Sequence, residues 1–187
     1  MNTKQTEQKY IMQTYKRVNL SVKKAKNQYI WDENGKKYLD FFSGISVCNL
    51  GHSNPKITSA ALKQLQTYAH VSNLYYQAPQ AVLAKTIIEK SFGKNSGGRV
   101  FFANSGAEAN EGAIKLARKW GQLNPSKAGA RYEIISFENS FHGRTLATLA
   151  CTGQAKLNAS FKPMPEKFCY AKFNDINSVK KLINSKT

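Results

Sequence analysis

From Arg99 to Ile183 the spacing of apolar residues switches repeatedly between two periods, and this alternation constrains the chain more than anything else in it. Three short runs, Arg99 to Ala103, Tyr132 to Phe137 and Phe168 to Ala171, are rich in β-branched and aromatic residues and read as strands. After the first, the period lengthens: Ala109, Gly112, Ala113, Leu116, Ala117 and Trp120 fall on one face of a helix over about 107–122. Further helices are predicted over about 144–151 and 175–183. Strands that alternate with helices pair in parallel through right-handed crossovers, so the expected fold class is α/β. Three short strands make only a small open sheet. Either more sheet comes from elsewhere, or this is part of a longer protein.

Upstream the pattern differs. Residues 1–20 read as a short helix or an arm. Two strand-like runs, Tyr29 to Trp31 and Tyr38 to Phe42, flank Asp32-Glu33-Asn34-Gly35, where Asn-Gly predicts a two-residue hairpin turn with positive φ at both positions. Asn54-Pro55 starts a helix, with Asn as N-cap and Pro at the first helical position, and Ile57, Ala61, Leu65 and Tyr68 on its inward face. Another follows Ala78-Pro79 and ends near Phe92-Gly93, with Val82, Leu83, Thr86 and Ile87 inward. The division expected is an N-terminal segment with a β-hairpin, residues 1–53, and the first part of a larger domain, 54–187.

In an open parallel sheet, ligands bind at the carboxyl ends of the strands. Two of those ends carry unusual residues. The first is Asn104-Ser105-Gly106-Ala107, where the chain places its smallest residues at a strand-to-helix junction. A helix N-terminus offers unpaired N–H groups and the positive end of the dipole, which together hold an anion. Gly106 lets the backbone approach it, Ala107 adds no obstruction, and Ser105 brings a hydroxyl. The same residues also read as a plain Ser/Asn cap with a tight turn, and Glu108 and Glu111 suit any helix start. No GxxxxGK[ST] or GxGxxG pattern is present, so the site would take one phosphate rather than a chain of them.

The second end is Glu138-Asn139-Ser140-Phe141-His142-Gly143-Arg144-Thr145. A planar phosphorylated ring would use it well, with the phosphate on the helix N-terminus, the ring on Phe141 and Arg144 forked onto a substrate carboxylate. In the plainer reading Phe141 is core and Arg144 forms a structural ion pair.

Composition removes other classes. The formal charge of +17 comes from 28 Lys+Arg against 11 Asp+Glu. The basic residues are mostly lysines dispersed along the chain, without a basic stripe interleaved with aromatics or a nucleic-acid-binding motif, so the charge speaks to solubility and steering. No apolar run approaches the roughly 20 residues needed to span a bilayer, and the N-terminus has no secretory apolar region. Cys48, Cys151 and Cys169 are too few and too widely spaced for a disulfide framework or a metal site. A cytoplasmic protein is expected, with no nucleic-acid or membrane partner and no metal. Cys48 reads as a loop thiol with no base beside it.

Four blocks in this order, SGISVCNLGHSNP, HVSNLYY, FFANSGAEANEGAIKLARKW and SFHGRTLATLACTGQ, resemble the class-III pyridoxal-phosphate aminotransferases, and within them the acetylornithine aminotransferase branch. The similarity runs over essentially all of residues 10–187. It implies the aspartate aminotransferase-like fold type I of pyridoxal-phosphate enzymes, here as an N-terminal segment of the small domain plus the first part of the mixed, mostly parallel large-domain sheet. It implies pyridoxal 5'-phosphate as cofactor, with Ser105, Gly106 and Ala107 at its phosphate, Phe141 stacked on its ring and Arg144 on the substrate α-carboxylate. His142 is left to packing or to support of its neighbours. The implied reaction moves an amino group from N-acetylornithine to 2-oxoglutarate in arginine synthesis, in a homodimer whose interface HVSNLYY would reach.

Family members run to about twice this length, consistent with the size of domains. The lysine that bonds the cofactor, and the aspartate that pairs with its ring nitrogen, are expected beyond Thr187, so no catalytic residue is assigned within the chain. An ornithine or 4-aminobutyrate type enzyme is a second reading. An inactive cofactor-binding or interaction module is a third, if Thr187 is the true terminus.

Overall fold

The structure is a computed structural model and describes residues 2–187. The chain forms two compact units that divide between Gln77 and Ala78.

The first unit opens with α1 (Thr3–Tyr10), started by a reciprocal cap in which the Asn2 side chain accepts from the Gln5 N–H while the Gln5 side chain accepts from the Asn2 N–H. Strands β1 (Val22–Lys26), β2 (Tyr29–Asp32) and β3 (Lys37–Leu39) follow as an antiparallel meander. The predicted hairpin is β2–β3, but its turn differs from the one expected. Gly35 has positive φ, +83°, whereas Asn34 is not among the positive-φ residues. The Asp32 carboxylate takes the N–H groups of Asn34 and Lys36, both at 2.9 Å, and this side-chain turn replaces the two-residue one.

After β3 comes α2 (Ser43–Ser46), a single left-handed turn with φ of 50°, 62°, 61° and 63° at Ser43, Gly44, Ile45 and Ser46. A β-branched residue such as Ile45 rarely adopts this conformation, so neighbouring contacts must hold it. Asp40 Oδ1 accepts from the N–H groups of Phe42 and Ser43, both at 2.9 Å, and Asp40 Oδ2 lies 2.7 Å from His52 Nε2. His52 is anchored in turn by a two-bond bridge to Asn27. Helix α3 (Pro55–Thr67) starts as predicted, with the Asn54 side chain accepting from the Lys56 N–H and Pro55 at the first position. Its apolar face is not inward: Ile57, Ala61 and Leu65 are exposed, because no element among the described residues of this unit packs over them.

The second unit contains α4 (Ala78–Phe92), α5 (Gly106–Leu123), β4 (Ile134–Phe137), α6 (Leu146–Cys151), α7 (Ala155–Asn158), β5 (Phe168–Ala171) and α8 (Ile176–Leu182). Strands β4 and β5 pair in parallel, Ile134 opposite Phe168 through Phe137 opposite Ala171, as the alternating pattern requires. The expected strand over Arg99 to Ala103 is not formed. None of its backbone groups joins a ladder among the described residues, and a strand without a partner strand has no hydrogen bonds to define it. The run lies beside α5 nonetheless, since a Cβ on Gly112 would meet the Phe101 ring at 2.9 Å. On α4, Val82, Leu83, Thr86 and Ile87 are exposed, again against the inward expectation.

The buried residues of this unit centre on α6. Thr148, Leu149, Ala150, Cys151 and Thr152 are all buried, with Ile114 of α5, Ser136 of β4 and Ala171 of β5. The Ser136 hydroxyl donates to the Cys151 carbonyl at 2.6 Å, so strand and helix are joined by a buried hydrogen bond as well as by packing. This arrangement places the segment after β4 against the first turns of α5.

Candidate functional site

The site is built on the N-terminus of α5. Ser105 has extended φ/ψ, and its Oγ accepts from the Glu108 N–H at 3.2 Å. Glu108 reaches back to the Asn104 N–H at 2.5 Å. The cap reading is therefore correct, and it leaves the anion reading intact. One first-turn donor is satisfied by the cap, while the N–H groups of Gly106 and Ala107 have no partner among the described residues. The Ser105 hydroxyl proton also remains free to donate. A Cβ built on Gly106 would meet nothing within 4 Å, so open space lies in front of the backbone there.

The segment carrying Phe141 and Arg144 leaves the carboxyl end of β4 and crosses directly over this turn. Gly143, at φ +136°, is the point of contact: a Cβ there would lie 2.8 Å from Ala107 Cβ and 2.6 Å from Thr148 Oγ1. Only glycine allows so close an approach in that conformation. Phe141 is 59% exposed, and the Arg144 guanidinium sits 5.7 Å from its ring centroid. Gly143 thus brings the loop that carries Phe141 and Arg144 into contact with the first turn of α5, beside Ser105, Gly106 and Ala107. His142 is half-buried, with Nδ1 3.4 Å from Ser140 Oγ.

This donor set fits a phosphate monoester attached to a flat ring. Two free N–H groups, a hydroxyl and the positive end of an 18-residue helix would meet the phosphate, and an exposed aromatic lies in the adjoining loop. An apolar cavity of about 590 Å³ lies along the other half of α5, between Leu116, Trp120, Arg131 and Ile134. Arg118 donates from Nη2 to the Glu166 carbonyl and the Arg131 guanidinium lies over the Trp120 ring, while the Nε of each is buried without a partner among the described residues.

Several residues that shape the site were not singled out in the sequence. Asn110 Nδ2 donates to the His142 carbonyl at 2.8 Å, and the His142 N–H donates to Thr152 Oγ1 at 3.0 Å. Thr145 Oγ1 donates to Glu111 and lies 2.7 Å from Thr148 Oγ1. A signal for two of them existed. Thr148 and Thr152 stand four apart in an otherwise apolar helical run, LATLACT, where a hydroxyl must find a partner.

The model of the family "Aminotransferase class-III" matches residues 10–186. The chain belongs to the class-III aminotransferases. Among class-III relatives, the acetylornithine aminotransferase of Caldanaerobacter subterraneus is 49% identical over 173 residues, which are 92% of this chain and 42% of the relative. That of Methanocaldococcus jannaschii is 49% identical over 181 residues, 97% of this chain and 44% of the relative. The chain thus spans less than half the length of the curated relatives it matches. Among solved structures, an ornithine aminotransferase from Toxoplasma gondii, with partial occupancy of PLP at its active site, superposes with a TM-score of 0.83 at 24% identity, over 95% of this chain and 40% of that one. The fold is therefore that of the pyridoxal-phosphate aminotransferases, in part: α/β, with a parallel sheet.

Proposed function

We propose that the protein carrying this chain is a pyridoxal-phosphate-dependent transaminase, transferring the amino group of N-acetylornithine to 2-oxoglutarate. The observation that supports the reading is the contact of Gly143 with Ala107, which seats the loop carrying Phe141 and Arg144 against a helix start whose first N–H groups are free among the described residues. Relatives at 49% identity are acetylornithine aminotransferases, which supports that amino donor over ornithine or 4-aminobutyrate.

The N–H groups of Gly106 and Ala107, with the Ser105 hydroxyl, hold the cofactor phosphate. Phe141 covers one face of the ring and keeps water from it. Arg144 takes the α-carboxylate of the substrate as a bidentate pair. When bound, the cofactor supplies an electron sink that makes the bonds at the substrate α-carbon labile. We place the lysine that bonds the cofactor beyond Thr187, and the working protein as a cytoplasmic homodimer acting on small molecules. The 187 residues by themselves then hold a binding site without its nucleophile.

The test is an amino-donor panel with purified full-length protein, pyridoxal phosphate and 2-oxoglutarate, reading glutamate. The expected result is the highest kcat/KM for N-acetylornithine. A higher value for ornithine or 4-aminobutyrate would move the enzyme to another branch, and no glutamate from any donor would remove the transaminase reading.

A further inference from the structure

The two side chains assigned to ring and carboxylate have little packing of their own. Phe141 is 59% exposed, and Arg144 is exposed and stacked on Phe141. Their positions must therefore be set through the backbone between them, at His142 and Gly143. That backbone is unusual, since Gly143 has φ +136° and touches both Ala107 and Thr148.

Both peptide groups of His142 are held by side chains from two other places in the unit. Asn110, one turn into α5, donates from Nδ2 to the His142 carbonyl at 2.8 Å. Thr152, fully buried at the end of α6, accepts the His142 N–H on Oγ1 at 3.0 Å and donates its own proton to the Thr148 carbonyl at 2.9 Å. The Thr152 hydroxyl is thus fixed in direction, so it can only accept from His142. Asn110 belongs to the same helix whose first turn forms the phosphate cup.

We propose that Asn110 and Thr152 are positioning residues: by clamping the His142 peptide from both sides they fix Phe141 and Arg144 relative to the Ser105–Ala107 cup. Neither residue touches the phosphate. The clamp orients the ring and the substrate carboxylate without adding a donor to either. This inference rests on the cofactor site proposed above.

The test uses full-length protein with two probes, pyridoxal 5'-phosphate and inorganic phosphate as its competitor, together with melting temperature. Thr152→Val keeps the side-chain shape and removes the acceptor, leaving a half-buried N–H unpaired. Thr152→Ser keeps the hydroxyl. The expected result for Thr152→Val is about tenfold weaker pyridoxal phosphate binding and a smaller induced circular dichroism band, as for loss of one buried hydrogen bond. Its inorganic phosphate affinity should stay within about twofold of wild type, and Thr152→Ser should restore pyridoxal phosphate binding.

Should Thr152→Val not fold, Asn110→Ala measured the same way decides the matter, with the same expected pattern. Pyridoxal phosphate binding unchanged in these variants overturns the clamp and leaves the cup standing. Equal weakening of both probes overturns it too, because the residues would then act only through general stability. Wild-type protein that binds neither probe removes the cup, and the clamp with it.

Discussion

Arg144 and Gly106 carry opposite kinds of information about the site. Arg144 is exposed and held by a stack on Phe141, so its replacement costs the fold little and tests recognition alone. In the full-length enzyme, Arg144→Lys should raise KM for N-acetylornithine, because a point charge replaces a planar fork; the loss is about 1.5–3 kcal/mol. Cofactor absorbance should remain near wild type. An unchanged KM, or a protein that no longer holds cofactor, would detach Arg144 from the substrate. Gly106 faces open space, so Gly106→Ala introduces no clash and should leave the melting temperature the same or slightly higher. In the proposed site the added methyl would crowd the phosphate. Pyridoxal phosphate should therefore bind more weakly to a protein that is no less stable. Loss of stability together with binding would mean that this glycine serves the fold.

At the scale of elements, the left-handed turn α2 depends on one carboxylate. Asp40 joins the N–H groups of Phe42 and Ser43 to His52, and the His52 hydrogen bond, followed by that of Ser43, holds its carboxyl below the usual range. A depressed folded value stabilises the fold above the ordinary aspartate pKa of about 4 and is lost as pH falls through the lower folded value. Asp40→Asn should therefore lower stability at neutral pH and flatten the acid limb below about pH 4 in a urea-unfolding series. An acid limb as steep as wild type would show that the turn is held by other contacts. Nothing in SGISV foretells that turn, since Ile45 disfavours it and the groups that impose it, Asp40 and His52, sit outside the stretch. By contrast, α3 and α5 were legible because their caps and their period agree: Asn54 before Pro55, and Ser105 before a run of small and apolar residues. The run Arg99 to Ala103 misled for a physical reason. A strand is a property of two segments, and apolar alternation in one of them cannot supply the other.

On the scale of the whole molecule, the faces that read as buried in sequence are the ones left open. Ile57 and Leu65 of α3, and Val82 and Leu83 of α4, are more than half exposed, between 51% and 64%. Their spacing is that of helices packed against a core, and no element among the described residues covers them. The candidate site needs none of these faces. Its parts, Ser105 to Ala107, Phe141 and Arg144, lie within the second unit, around a buried α6, and were legible because helix start, glycine, ring and guanidinium each left a mark in the sequence. Of the supports beneath them, Thr148 and Thr152 left only the hint of two hydroxyls in an apolar run, and their partners, like Asn110, were hidden because an interior hydrogen bond depends on where the chain returns in space. The most direct test of the whole account is a crystal structure of the full-length protein with pyridoxal 5'-phosphate. The phosphate is expected about 3 Å from the Gly106 and Ala107 nitrogens, with the cofactor ring over Phe141. A phosphate bound elsewhere, with that helix N-terminus facing only solvent, would contradict it.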